Sequence, residues 1–261
     1  MPVLILSSTN KEMETEIAQQ IAQKLKFTTI NDQFLDEIAN KYTIEPKKLA
    51  LTLNSTPSIF KRIPAKLWNY YLSCIELEVL ERLLEDNCVC WGLAAHLYVV
   101  VVSHVFKVRL IGGHEADEQS GQSKLSLDRE NWSMAAYNKK EMNPELYDMV
   151  INLDQIKPDE VINTVSTTLG YPRFKAMTYS KNKLTDQVLA ARVKNALLES
   201  LTDIHVQAQN GTVVVTTSSA KREKSKKIDA IKKLAGKVEG IGYLEVHWNK
   251  DLITEAVLSS R

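Results

Sequence analysis

The sequence predicts an α/β domain built on a doubly wound parallel sheet, followed by a smaller α+β domain of α-β-β-α-β order. Three observations carry this. The first 170 residues alternate short apolar runs with segments of helical periodicity, the pattern of parallel strands buried on both faces. From residue 184 apolar and polar residues alternate around Asn210-Gly211, a strong hairpin signal. Between them, Gly170-Tyr171-Pro172 and a polar stretch to Lys183 interrupt both patterns. The expected boundaries are a first domain at 1–170, a linker at 171–183, a second domain at 184–250 and a tail at 251–261.

In the first domain Val3-Leu4-Ile5-Leu6 reads as the opening strand, and Ile17, Ala18, Ile21, Ala22 and Leu25 mark the helix after it. Phe27 to Asp32 is a second short strand ending in an acid, and a helix from Gln33 to Tyr42 follows. Pro46, Pro57 and Pro64 divide the next region into short helices and turns. Leu67 to Glu85 is a helix with Trp68, Leu72, Ile75 and Val79 on its apolar stripe. Cys88 to Trp91 is a strand closed by Gly92, and Phe106 to Ile111 is another ending at Gly112-Gly113. His114 to Lys124 reads as a polar loop, Ser126 to Lys140 as a helix, and Tyr147 to Asn152 as the last strand. Pro158 opens a helix reaching Leu169.

In the second domain Thr185-Asp186 is expected to cap a helix carrying Val188, Leu189, Val193 and Leu197. Ile204, Val206 and Ala208 alternate as a strand, and Val213 to Thr217 returns. Lys221 to Leu234 forms the second helix, and Val238 to Val246 a loop and third strand.

Net charge is +1, but it is unevenly spread: 14 basic and 9 acidic residues from Lys181 onward, against 19 and 23 before it. No charged and apolar leader opens the chain, and the most apolar run, Leu97 to Val102, is far short of the roughly 20 residues that span a bilayer. Three cysteines, Cys74, Cys88 and Cys90, make no disulfide framework, so the expected setting is a reduced cytoplasm.

The turn after the first strand, Ser7 to Glu16, is where a nucleotide-binding α/β protein holds phosphate, and it contains no glycine. Cradling phosphate there requires backbone N–H groups in a concave turn and a basic side chain. Lys11 supplies the charge, but Glu12, Glu14 and Glu16 surround it, and carboxylates repel a triphosphate.

The segment Met1 to Leu169 resembles the cytidylate-kinase-like branch of P-loop nucleoside monophosphate kinases. The likeness rests on Glu16-Ile17-Ala18, on Asp32 in the place of a nucleotide-site acid, on the Cys88 to Gly92 strand and, most specifically, on Asn143 to Asn152. The resemblance implies the fold. The family's phosphate-binding groups, however, are replaced. Without gaps, its loop glycines fall on Lys11, Met13 and Glu14, and its basic residue on Thr15. Gly92-Leu93-Ala94 stands where the family has Gly-Arg-Gly. His114 to Leu127, in place of an arginine-bearing lid, holds only Lys124. In Asp128-Arg129-Glu130-Asn131 the arginine comes two positions early, about 200° around a helix. An arginine finger alone is worth roughly 10³–10⁵ in phosphoryl-transfer rate, so the losses are large. A residual nucleotide site would use Ser7, Ser8, Thr9, Lys11, Asp32 and Arg129, with ATP and magnesium as cofactor only if that site survives.

Leu184 to Asn249, with its Asn-Gly hairpin and its Val238-x-Gly240-Ile241-x-x-Leu244-x-Val246 ending, resembles a BON domain. Such domains are binding modules associated with phospholipid surfaces, pore proteins and self-association, so the resemblance implies a protein, anionic lipid or small-ligand partner. Lys221 to Lys227 is the only dense basic run; it reads first as a solvated helix start, with anionic lipid as the functional alternative and nucleic acid disfavoured. Cys88 and Cys90, two apart on a strand, read as core rather than zinc ligands, and His96, His104 and His114 lack metal-ligand spacing. The expected function is a catalytically inactive or regulatory kinase-like protein with a BON binding module. The alternative is a divergent nucleotide kinase.

Overall fold

Strand β1 (Val3–Ser8) is buried along its first five residues, with parallel neighbours on both of its edges. On one side runs β3 (Cys88–Cys90), with β2 (Thr28–Ile30) beyond it; on the other runs β4 (Val105–Ile111), with β5 (Met149–Asn152) beyond. Every pairing is parallel, giving the order β2-β3-β1-β4-β5. The computed structural model describes residues 2–57, 63–99, 102–113, 119–218 and 223–249, with backbone alone over 119–126. His114, the Lys124 side chain, Lys221, Arg222 and the tail 251–261 lie outside the described residues. The chain divides into two compact units, Met1–Lys181 and Asn182–Arg261.

Alternation along the strands splits the first unit's core in two. Leu4, Leu6, Phe106, Val108 and Leu110 pack with Ile17 and Ile21 of helix α1 (Lys11–Leu25). Val161 and Val165 of a C-terminal helix, Pro158–Leu169, close the same layer. The intervening residues, among them Ser7 and Arg109, face the opposite side, and Ser7 and Arg109 are register partners. Helices α2 (Phe34–Tyr42), α3 (Pro46–Asn54) and α4 (Ala65–Leu83) follow their sequence signals, with Pro46 at the first position of α3; the short α5 (Ala95–Tyr98) has no counterpart in the sequence reading. A parallel sheet flanked by helices is thus the observed α/β architecture.

Two segments differ from the sequence reading. Helix α6 spans Gln119–Tyr137, so residues 119–124 are helical rather than loop; one interior glycine, Gly121, costs a helix only about 1 kcal/mol. It stops short of Lys140 because Asn138 turns left-handed, at φ 52°. The polar stretch expected to link the domains is largely ordered. Phe174 is buried with its ring 4.6 Å from that of Phe106, and Lys181 pairs with Asp86 at 2.9 Å. After α7, the helix at Pro158–Leu169, α8 runs Thr178–Leu198. Thr185-Asp186 therefore lies inside α8 and caps nothing.

The second unit adds β6 (Ile204–Gln209), β7 (Thr212–Ser218), α9 (Lys224–Ala235) and β8 (Tyr243–Asn249). Its sheet is mixed, ordered β6-β7-β8, with β6 antiparallel and β8 parallel to β7. Asn210 and Gly211 take φ of 50° and 78°, the double left-handed turn that an Asn-Gly hairpin favours. Asp186 Oδ1 accepts a 2.8 Å hydrogen bond from the Asn210 amide, fastening α8 to that turn. Leu189, Val193, Leu197, Val213, Val215 and Ile231 form the core. Among the described residues no helix is long and apolar enough to cross a membrane.

Candidate functional site

In a doubly wound sheet, ligands bind outside the carboxyl ends of the strands, where the order reverses direction. Here that place is the turn after β1, and it is only two residues long, Thr9 and Asn10. Asn10 is the reason. Its Oδ1 accepts from the Met13 amide at 3.1 Å and its own amide bonds Ser8 Oγ at 3.0 Å, so the helix begins at once. Asn10 Nδ2 also donates to the Gly113 carbonyl at 2.6 Å, stitching the turn to the loop after β4. Lys11, Met13 and Glu14, where the resembled family has glycines, are the first, third and fourth residues of α1.

Glu14 folds back over this turn. It is 6% exposed, and its Oε1 accepts from the Ser8 amide at 3.0 Å. Burial pushes the Glu14 carboxyl up to about 8, against the pull of the Ser8 amide, Arg109 and Arg129, with Asp32 adding to the rise. Asp32 is exposed by area at the mouth of the turn and is likewise pushed up by its partial burial, while Lys11 and Arg129 pull it down. Gly92, at φ +74°, passes so close that any Cβ there would overlap the Asp32 carboxylate.

On the other face of the sheet Arg109 Nη1 donates to Ser7 Oγ at 2.5 Å and reaches Glu141 Oε1 at 3.4 Å. Arg129 Nε donates to Glu141 Oε2 at 2.5 Å, and its Nη1 to the Leu53 carbonyl at 2.6 Å. The Arg129 guanidinium lies 4.1 Å above the Trp132 ring, while Trp132 Nε1 donates to the Thr52 carbonyl at 2.7 Å. His96 Nε2 is 3.2 Å from Glu141 Oε1 but badly aligned for a hydrogen bond. Burial alone would raise the Glu141 carboxyl; His96, Arg129 and Arg109 outweigh it and hold it at about 2. Burial lowers His96 from its ordinary value, so the imidazole is neutral beside an ionised carboxylate.

Of the six residues read from sequence, Ser7, Ser8, Thr9 and Lys11 line the β1–α1 turn, and Asp32 and Arg129 lie within electrostatic reach of it. Ser7 Oγ is engaged by Arg109, the Ser8 amide by Glu14, and Arg129 by Glu141 and Leu53. Lys11 and Thr9 are exposed. Arg109 and Glu141 were missed. Arg109 carried a signal, a guanidinium within the apolar strand Val105-Phe106-Lys107-Val108-Arg109-Leu110-Ile111. Two grooves of about 240 and 360 Å³ lie along β2 and between α2 and α4. Neither includes a residue of the β1–α1 turn, and their Arg82 and Lys41 are paired with Glu37 and Glu78.

The five-stranded parallel sheet flanked by helices, with a polar cluster at the reversal of strand order, fits an α/β kinase-like fold. The chain belongs to the cytidylate kinase-like family, whose profile matches residues 12–155, more than half of its length. The match begins inside α1. Among solved structures, that of an uncharacterized protein from Eubacterium ventriosum is 13% identical with a TM-score of 0.46, covering 64% of this chain and 97% of that one. No curated protein matches.

Proposed function

We propose that this chain is a kinase-like protein that does not transfer phosphate, and that its second unit is a BON-type binding module. The observation carrying the first part is the Glu14 carboxyl on the Ser8 amide. A phosphate-binding turn works by offering free backbone donors to an anion. Here the turn is two residues long and the Ser8 donor is spent on a side chain of α1. The residues present do not fit a triphosphate with magnesium. The Glu14 carboxyl already fills the amide's acceptor position, and Arg129 is committed to Glu141. A coupled assay with ATP, magnesium and CMP is expected to show no turnover above a protein-free control; measurable turnover overturns this reading.

A divergent nucleotide kinase is the second reading, favoured by family membership and by Lys11, Arg109 and Arg129 around one turn. If it holds, Lys11→Ala abolishes activity. For the second unit, the α-β-β-α-β order and the Asn210-Gly211 hairpin support the BON reading. Its partner is proposed to be a protein, an anionic lipid surface or a small ligand. Lys227 is already bonded to the Thr202 and Ser218 carbonyls, each at 2.8 Å, which argues against a wholly free basic face. Co-sedimentation with phosphatidylserine vesicles at rising salt separates these: binding that falls steeply with salt marks lipid.

A further inference from the structure

Three side chains from three elements close on one carboxylate in the first unit, and a fourth touches the same residue's backbone. Glu141, 3% exposed, takes Arg129 Nε and Arg109 Nη1 on separate oxygens, with His96 Nε2 3.2 Å away. The fourth is Tyr147, whose ring stacks on His96 at 5.4 Å and whose hydroxyl donates to the Glu141 carbonyl at 2.8 Å.

Two features separate this from an ordinary buried ion pair. Cationic groups are in excess, two guanidiniums against one carboxylate. A donor is also left over: Arg109 Nε is buried with no hydrogen-bond partner, and His96 Nε2 has only the poorly aligned Glu141 Oε1 at 3.2 Å. Buried polar groups are nearly always satisfied, so an unspent guanidinium donor here is informative. A carboxylate presents two oxygens in one plane. A tetrahedral oxyanion presents more, in directions that guanidinium forks and an imidazole reach together.

We propose that Arg109, Arg129 and His96 form an oxyanion site of the phosphate class in which Glu141 is the tethered resident, keeping external anions out. The residue lies in the turn after α6, held by its own backbone: its amide donates to Ser133 Oγ at 3.2 Å and its carbonyl accepts from Tyr147. Its side chain is therefore removable without releasing the turn. The inference is independent of whether the protein turns over nucleotide.

The test follows thermal unfolding of full-length wild type and Glu141→Ala with inorganic phosphate replacing chloride at constant ionic strength. Wild type is expected to be indifferent to phosphate. The variant's midpoint is expected to rise, saturably, by roughly 3–6 °C at phosphate about tenfold above its Kd. Arg109→Met in the variant background should erase the rise. A folded variant indifferent to phosphate overturns the proposal, as does a wild type that responds equally. If Glu141→Ala is unfolded in chloride, recovery of the folded signal in phosphate supports the site. Without recovery the decision falls to Glu141→Gln, which keeps the volume and removes the charge; phosphate-dependent stabilisation supports the site, and its absence overturns it.

Discussion

The Glu14 carboxyl accepts the Ser8 amide across six residues of sequence, so the first turn of α1 closes the end of β1 from within the chain. The Ser8 amide thus donates to a side chain that is itself nearly fully buried. The consequences are measurable in stability as well as in ligand binding.

Glu14 is held at about 8, above its ordinary 4.5. A raised carboxyl contributes stability that is complete below the unfolded value and is lost as pH rises through the folded one. Glu14→Gln, which keeps an acceptor for Ser8, is therefore expected to match or fall below wild type at pH 5 and to exceed it by up to about 4 kcal/mol at pH 9. Urea midpoints at pH 5, 7 and 9 check this. A difference that does not grow with pH would contradict it.

Glu141 behaves in the opposite sense. Held at about 2, it contributes stability present above 4.5 and lost as pH falls through 2. Removing one partner of a buried charged cluster typically costs about 3–5 kcal/mol. Glu141→Gln is expected to lose an amount of that order at pH 7 and to show a flatter acid-denaturation curve between pH 4.5 and 2 than wild type.

Gly92 and Asp32 form a steric pair. Gly92→Ala meets the Asp32 carboxylate and adopts a strained φ of +74°, so a loss of roughly 2–3 kcal/mol is expected. In an Asp32→Ala background only the backbone strain, about 1 kcal/mol, should persist. A double-mutant cycle by chemical denaturation reads the coupling directly; additive effects would contradict the contact.

In the second unit Asp186→Ala removes the acceptor of the Asn210 amide, worth about 1 kcal/mol. Hydrogen exchange at Asn210 should accelerate while amides of β7 change little.

The sheet was legible because parallel strands announce themselves as apolar runs, and β1, β3 and β4 fell where Val3 to Leu6, Cys88 to Trp91 and Phe106 to Ile111 placed them. The hairpin was legible because Asn210-Gly211 demands a left-handed turn. The start of α6 was not, since Gln, Ser and Gly at its beginning carry no apolar periodicity. Asp186 was misread as a cap because its bond runs to a turn 24 residues away, which local sequence does not encode. The site was half legible. The sequence shows Glu14 only as one of three carboxylates, with Glu12 and Glu16, beside Lys11; its return to Ser8 depends on the short turn that Asn10 sets. Arg109 and Glu141 meet only once β4 lies beside β1 and the turn after α6 folds over both.

The most direct measurement is calorimetric titration of the wild-type protein with ATP and magnesium, and separately with CMP. A turn closed by Glu14 predicts no binding heat with either. Saturable binding in the micromolar range, about −8 kcal/mol, would contradict it and show that the Ser8 amide is still open to phosphate.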